Sequence, residues 1–156
     1  NGESAAEAAD IGLERFIVSS EARKSPAAVI PRGQIIYGAL PVMTLEKCAI
    51  REICGAKLPP ISACRYCDTH RFSYLCDRLG VKFPMAREYK HRNVIFNSVP
   101  VYMADRLVEI RNMDFSLLYF TDESREKTAE IIHDYIKGTK KPHGEFTRGL
   151  LYRGVE

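Results

Sequence analysis

No apolar run in this chain approaches the roughly 20 residues that a helix needs to cross a bilayer, which excludes a transmembrane helix. No secretory h-region is present, although a truncated N-terminus would hide one. Charge of one sign is also scarce. The 23 lysines and arginines against 20 aspartates and glutamates leave a net +3, which makes no global electrostatic case for nucleic acid. Two local basic groups stand out, Arg87-Lys90-His91-Arg92 and Lys137-Lys140-Lys141, and the second reads as solvated surface. Catalytic signatures are missing as well. There is no Gly-x-Ser-x-Gly elbow and no His-Glu-x-x-His, and none of the four histidines sits in a recognisable nucleophile–base context. Repeats and low-complexity segments are absent. What remains is 156 residues with 46% hydrophobic and 28% charged content, ordinary values for one globular domain with an adequate core.

Cysteine is missing from most of the chain and crowded into one part of it. All five cysteines lie within 29 consecutive residues, as Cys48-x5-Cys54-x9-Cys64-x2-Cys67 followed by Cys76. An odd number argues against a complete disulfide framework and for a reducing compartment, with cytoplasm expected. The C-x-x-C pair can place two sulfurs on one ion, and Cys48 and Cys54 would complete a four-sulfur shell. Tetrahedral sulfur ligation suits zinc or an iron–sulfur cluster, and spacing does not choose between them. The alternatives are buried free thiols with a disulfide, or a Cys67–His70 catalytic dyad. The metal site on Cys48, Cys54, Cys64 and Cys67 leads, within a cysteine-rich insertion spanning 44–92.

Outside that insertion, helix and strand patterns alternate. Residues 5–11 are alanine-rich and stop at Gly12. Residues 15–19, 34–37, 93–96 and 115–120 are short β-branched or apolar runs that read as buried strands. A brief helix is expected within 22–29, a second over 101–111 after Pro100. A third is expected on the stripe Thr128, Ile131, Ile132, Tyr135, Ile136, with Gly138 as its stop. Tyr74-Leu75-Cys76 and Val81-Lys82-Phe83 flank Asp77-Arg78-Leu79-Gly80 as a β-hairpin. The tail from Thr139 reads as irregular. Alternating strands and helices imply parallel pairing with right-handed crossovers, with about four parallel strands near residues 15, 35, 94 and 117.

Ligands of parallel α/β sheets gather beyond the C-terminal strand ends. Glu21, Tyr37, Asn97 and Asp122 stand there and are expected to share a substrate pocket, with Arg148 of the tail turned towards it as a positive charge. Asp122 and Glu123 offer acid–base chemistry, or Thr121 and Asp122 cap the following helix. Alternatively the tail is a strap whose Phe146, Leu150 and Tyr152 cover the sheet.

Several words occur in a telling order: Tyr37-Gly38-Ala39-Leu40-Pro41-Val42-Met43-Thr44 leading into Cys48, then Asp77-Arg78-Leu79-Gly80-Val81-Lys82-Phe83-Pro84, Asn97-Ser98-Val99-Pro100, and Phe146-Thr147-Arg148-Gly149-Leu150-Leu151-Tyr152-Arg153-Gly154. In this order they resemble the C-terminal part of the conserved region of the collagenase-like peptidase family of undefined catalytic type. The resemblance runs from about residue 10 to the end. It implies a barrel of the eight-stranded β/α type, of which this chain would be a partial, half β/α-barrel interrupted by the cysteine-rich insertion and its hairpin. The start at Asn1 without Met fits a fragment of a larger protein, inactive by itself. Such a fragment lacks an N-terminal half, or forms a homodimer through exposed sheet edges.

The resemblance also implies peptidase activity. Alternatively, it implies the oxygen-independent hydroxylation of RNA bases or of a small molecule on a four-iron (4Fe-4S) cluster, as in some relatives. Peptide or RNA is the substrate implied, with no membrane partner. Cys48 and Cys54 match the family's first two cysteines, and Cys64 and Cys67 fall where later ones occur in some members. Many relatives have a further cysteine after the Phe-Pro motif, and here none follows Pro84. Three options follow: Cys64 and Cys67 both ligate, His91 substitutes, or the site holds zinc and the module is purely structural. Cys76 falls at a non-ligand position and is expected to be a buried hairpin thiol.

Overall fold

The computed structural model describes residues 2–20, 29–89, 91–110, 112–138 and 144–149. In chain order the elements are α1 (Gly2–Asp10), β1 (Phe16–Ile17), β2 (Arg32–Gly38), β3 (Pro41–Leu45), α2 (Ala49–Cys54), α3 (Tyr66–Thr69), β4 (Phe72–Cys76), β5 (Lys82–Arg87), β6 (Asn93–Phe96), β7 (Val101–Tyr102), β8 (Phe115–Leu118) and α4 (Arg125–Lys137). Short 3₁₀ turns occupy Gly55–Lys57, Ile61–Ala63 and Ala104–Glu109. The chain divides into two compact units, Asn1–Gly38 with Val99–Glu156, and Ala39–Ser98. The insertion read from the sequence as 44–92 falls inside the second unit.

β2 is the hub of the first unit. β1 and β8 pair with it in parallel (Phe16↔Arg32, Gly33↔Phe115), and β7 pairs with its C-terminal end antiparallel (Tyr37↔Tyr102). α4 starts at Ser124, whose Oγ accepts the Lys127 N–H at 3.2 Å, a serine N-cap. Its apolar stripe then meets the sheet: Tyr37, Tyr102, Ala104 and Ile131 form the core, with Leu118, Phe120 and Tyr135 packed against them. Because this core is rich in tyrosine, its hydroxyls need partners. Tyr135 Oη donates to the Ile36 carbonyl and accepts the Met103 N–H at 2.8 Å, tying the helix to two backbone segments.

The second unit is a four-stranded antiparallel sheet in the order β3-β6-β5-β4. The hairpin between β4 and β5 is present, with Cys76 opposite Lys82. Asp77 Oδ1 accepts the N–H groups of Leu79 (2.8 Å) and Val81 (2.9 Å), and Gly80 takes the positive φ of +82° that the turn requires. Cys76, expected to be buried, is exposed because it stands next to this turn at the hairpin tip. α2 and the turns that follow pack on the sheet around Ile50, Met85 and Ile95.

The expected half β/α-barrel is corrected by these sheets. The segments near 15, 35 and 117 do pair in parallel, but the one near 94, β6, lies in the separate antiparallel sheet. Its physical cause is the short link from β5: the Glu88 N–H donates to the Arg92 carbonyl at 3.0 Å, and a connection that tight returns the chain antiparallel, whereas parallel neighbours need a long crossover. Antiparallel pairing predominates, and the described strands close no barrel. The helix expected over 101–111 is corrected too. Val101, Tyr102, Met103 and Ala104 are all buried, a consecutive run that no amphipathic helix buries. They form β7 and the entry to a 3₁₀ turn instead. The helix expected within 22–29 falls almost wholly outside the described residues, as do Leu150 and Tyr152 of the tail. Among the described residues no helix is long and apolar enough to cross a membrane.

Candidate metal site and strand-end cavity

The cysteines of the second unit are gathered by its core. Cys48 precedes α2, whose Ile50 is buried against Met85 and Ile95, and Cys48, Cys54 and Cys67 pack around that trio. The chain then returns through the turn Ile61–Ala63 to Cys64 and enters α3 with Cys67. Cys48, Cys64 and Cys67 line one cavity of about 10 Å³, roughly the space of a single water. Arg87 and His91 share its wall, with Ile50, Leu58 and Tyr66 as the apolar side. Burial holds the Cys67 thiol above its ordinary pKa, and the Cys48 and Cys64 sulfurs add to that while the Arg87 guanidinium opposes it. Of the four expected ligands the structure therefore brings three to one cavity. Cys54 stays on the surrounding apolar cluster, and His91 takes a place on the wall. All five cysteines are free thiols. Among the described residues, no three His, Cys, Asp or Glu side chains are closed to metal-ligand spacing.

The donors suit a metal chemically. Thiolate sulfur and imidazole nitrogen are the ligands of tetrahedral zinc sites, with Zn–S near 2.3 Å. A second observation concerns Asn93, fully buried on β6. Its Oδ1 accepts the Ala49 N–H at 2.7 Å, so its amide lies beside the Cys48–Ala49 peptide, while its Nδ2 has no hydrogen-bond partner. The Oδ1 contact fixes the backbone at the start of α2, directly after Cys48. His70 offers no such role: its ring stacks on Tyr66 at 4.2 Å, and Nδ1 contacts Thr69 Oγ1 and the Tyr66 carbonyl. The Cys67–His70 dyad gains no contact from this arrangement.

The first unit carries a different site. A cavity of about 320 Å³ opens beyond the C-terminal ends of β2 and β8, lined by Tyr37, Tyr102, Asp122, Glu123, Lys127, Asp134 and Glu145 among others. Tyr37 Oη donates to Glu123 Oε1 at 2.9 Å, and Glu123 Oε2 accepts the Thr121 N–H at 2.6 Å. Tyr102 Oη donates to Asp134 Oδ2 at 2.9 Å. Burial, then the adjoining carboxylate, pushes both phenols far above the ordinary tyrosine range, so they act as neutral donors and not as acids.

The expected pocket residues divide accordingly. Tyr37 and Asp122 line this cavity. Glu21 lies outside the described residues. Asn97 belongs to the second unit, where its N–H donates to the Leu40 carbonyl. Arg148 is occupied elsewhere in the first unit: it grips both Asp105 carboxylate oxygens at 2.6 and 2.7 Å, reaches the Tyr102 carbonyl and covers the Phe146 ring at 4.5 Å. The polar lining residues that sequence reasoning missed are Tyr102, Lys127, Asp134 and Glu145. Asp134 lies three positions after Ile131 on the buried side of α4, a spacing that signals the face but not an acid's partner. Comparison with family models, with characterised proteins and with solved structures finds no match to this chain.

Proposed function

We propose that the second unit is a metal-binding module that holds one tetrahedral ion, zinc in the first place, within an enzyme of the collagenase-like peptidase type. The observation that carries the reading is the shared cavity: three thiols separated by up to 19 positions, Cys48, Cys64 and Cys67, line a space the size of one small ion. Bound zinc would supply a rigid crosslink between the start of α2 and the Cys64–Cys67 turn. Cys48, Cys64 and Cys67 hold the ion as thiolates, Arg87 offsets part of their charge, and Asn93 fixes the backbone beside Cys48 through Ala49. The resemblance in motif order supports the peptidase-type enzyme. The cavity beyond β2 and β8, with Tyr37 and Asp122, supports a substrate pocket at the strand ends. The free thiols support a reducing, cytoplasmic setting.

A second reading rests on charge. Residues 39–98 hold ten lysines and arginines against five aspartates and glutamates. Exposed Tyr74 and Tyr89, and Arg71 set over the Phe72 ring, add stacking surface. This supports an RNA substrate for the module. Anaerobic purification followed by zinc, iron and labile-sulfide determination tests the leading reading. One zinc per chain without sulfide is expected. Iron with matching sulfide and a brown chromophore would shift the assignment to the cluster-dependent hydroxylation of relatives, and a folded chain that takes up no metal would refute both.

A further inference from the structure

We infer that the fourth ligand of this site is the imidazole of His91, and that Cys54 stands outside the shell. The inference rests on the metal reading above and assigns its ligands. Cys48 is the residue before α2 and Cys54 the last residue within it. Six helical positions advance roughly 9 Å along the axis and rotate about 240° around it. Sulfurs on one zinc must lie roughly 4 Å apart, set by Zn–S bonds of about 2.3 Å. With α2 intact, Cys48 and Cys54 therefore point away from a common ion, and only Cys48 faces the cavity that Cys64 and Cys67 also line.

His91 reaches that cavity from the opposite element. It sits in the link between β5 and β6, whose two ends are clamped by the pairing of Arg87 with Asn93 and by the Glu88 N–H to Arg92 carbonyl bond at 3.0 Å. A ligand on so short a link is held in place by the sheet itself. Charge points the same way. Three thiolates and one neutral imidazole around Zn²⁺ leave a single net negative charge, and the cavity wall supplies one guanidinium, Arg87, whose outer side pairs with Asp68 at 2.8 Å. Four thiolates would leave two negative charges facing that one cation.

Cobalt titration of the reduced full chain under anaerobic conditions tests the assignment, because sulfur-to-cobalt charge-transfer intensity counts thiolates. The wild type should show three, and Cys54→Ser should keep the same spectrum with affinity within about twofold. His91→Ala should weaken binding by at least about tenfold, no less than the loss of a second-shell partner costs. His91→Cys should restore tight binding with a fourth thiolate in the spectrum, an outcome that places position 91 in the shell even if the alanine variant folds poorly. Loss of cobalt by Cys54→Ser, with a four-thiolate wild-type spectrum and no effect at position 91, would overturn the ligand assignment and leave the metal reading standing. A folded wild type that binds no cobalt would overturn both.

Discussion

Replacing Arg148 with alanine removes a set of contacts whose cost can be worked out from the first unit. The guanidinium pairs with both oxygens of Asp105, donates to the Tyr102 carbonyl and covers the Phe146 ring, with side-chain exposures of only 20% for Arg148 and 14% for Asp105. A charge-assisted hydrogen bond is worth about 1.5–3 kcal/mol and the ring contact about 0.5–1 kcal/mol. Truncating one partner of a largely buried pair also strands the other charge, so the loss should be about 3 kcal/mol. For a chain of this length that corresponds to a fall in Tm of about 6–12 °C in the unit's thermal unfolding, followed by circular dichroism. Asp105→Asn, which keeps the shape and loses the charge, should cost about 1–2 kcal/mol, and the double variant should show clear non-additivity.

The pH dependence supplies an independent check on the same pair. The Arg148 hydrogen bonds hold the Asp105 carboxyl below its ordinary range. Its contribution is therefore complete above the unfolded value of about 3.9 and is lost as pH falls through the lowered folded value. In Arg148→Ala that acid-side loss should disappear. A Tm shift under about 2 °C, or strictly additive effects of the two substitutions, would refute the stabilising role of the Arg148–Asp105 pair. If affinity for an anionic ligand fell while the melting curve stayed put, Arg148 would belong to the pocket after all.

Two further outcomes test the same unit. Gly38 closes β2 with φ of +132°, and a Cβ there would lie 2.0 Å from the Tyr119 carbonyl oxygen. Gly38→Ala should therefore cost at least about 3 kcal/mol, read as a lowered urea midpoint for the first unit, and an unchanged midpoint would show that the strand end is not as tight as described. The buried phenols set a limit at the alkaline end. Tyr37 and Tyr102 are raised far above the ordinary value and Tyr135 is pushed up to about 12, so unfolded phenols ionise first and stability should hold below about pH 10 and fall above it. Phenolate absorbance of these three should appear only with unfolding, and ionisation of Tyr37, Tyr102 or Tyr135 near pH 10 in the folded protein, read as signal lost in the matching Tyr→Phe variant, would contradict the buried hydrogen bonds.

Elements whose signal is local were legible in the sequence. β1, β2 and β8 follow from short apolar runs, α4 from its Ile131–Tyr135 stripe, and the β4–β5 hairpin from an aspartate and a glycine three residues apart. What could not be read is what each element meets. An apolar run such as Asn93–Phe96 states that it is buried and not which way its neighbour runs, so the short link through Glu88 and Arg92 decided an antiparallel sheet. Val101–Tyr102 carries helix-compatible residues, yet the Tyr102 N–H bond to the Thr147 carbonyl and its ring packing on Tyr37 make it a strand.

The candidate sites divide the same way. Cys64 and Cys67 were readable because two residues between cysteines is a turn-sized spacing, whereas the spacing of Cys48 and Cys54 does not declare the helix Ala49–Cys54 that leaves Cys48 on the cavity and Cys54 off it. His91 lies 24 positions beyond Cys67, and only the folding of β5 against β6 carries it to the same cavity wall. Arg148 likewise looked like a pocket cation until Asp105 stood opposite it. A side chain's chemistry is written in its own residue, but its partner is fixed by long-range packing, and function follows the partner.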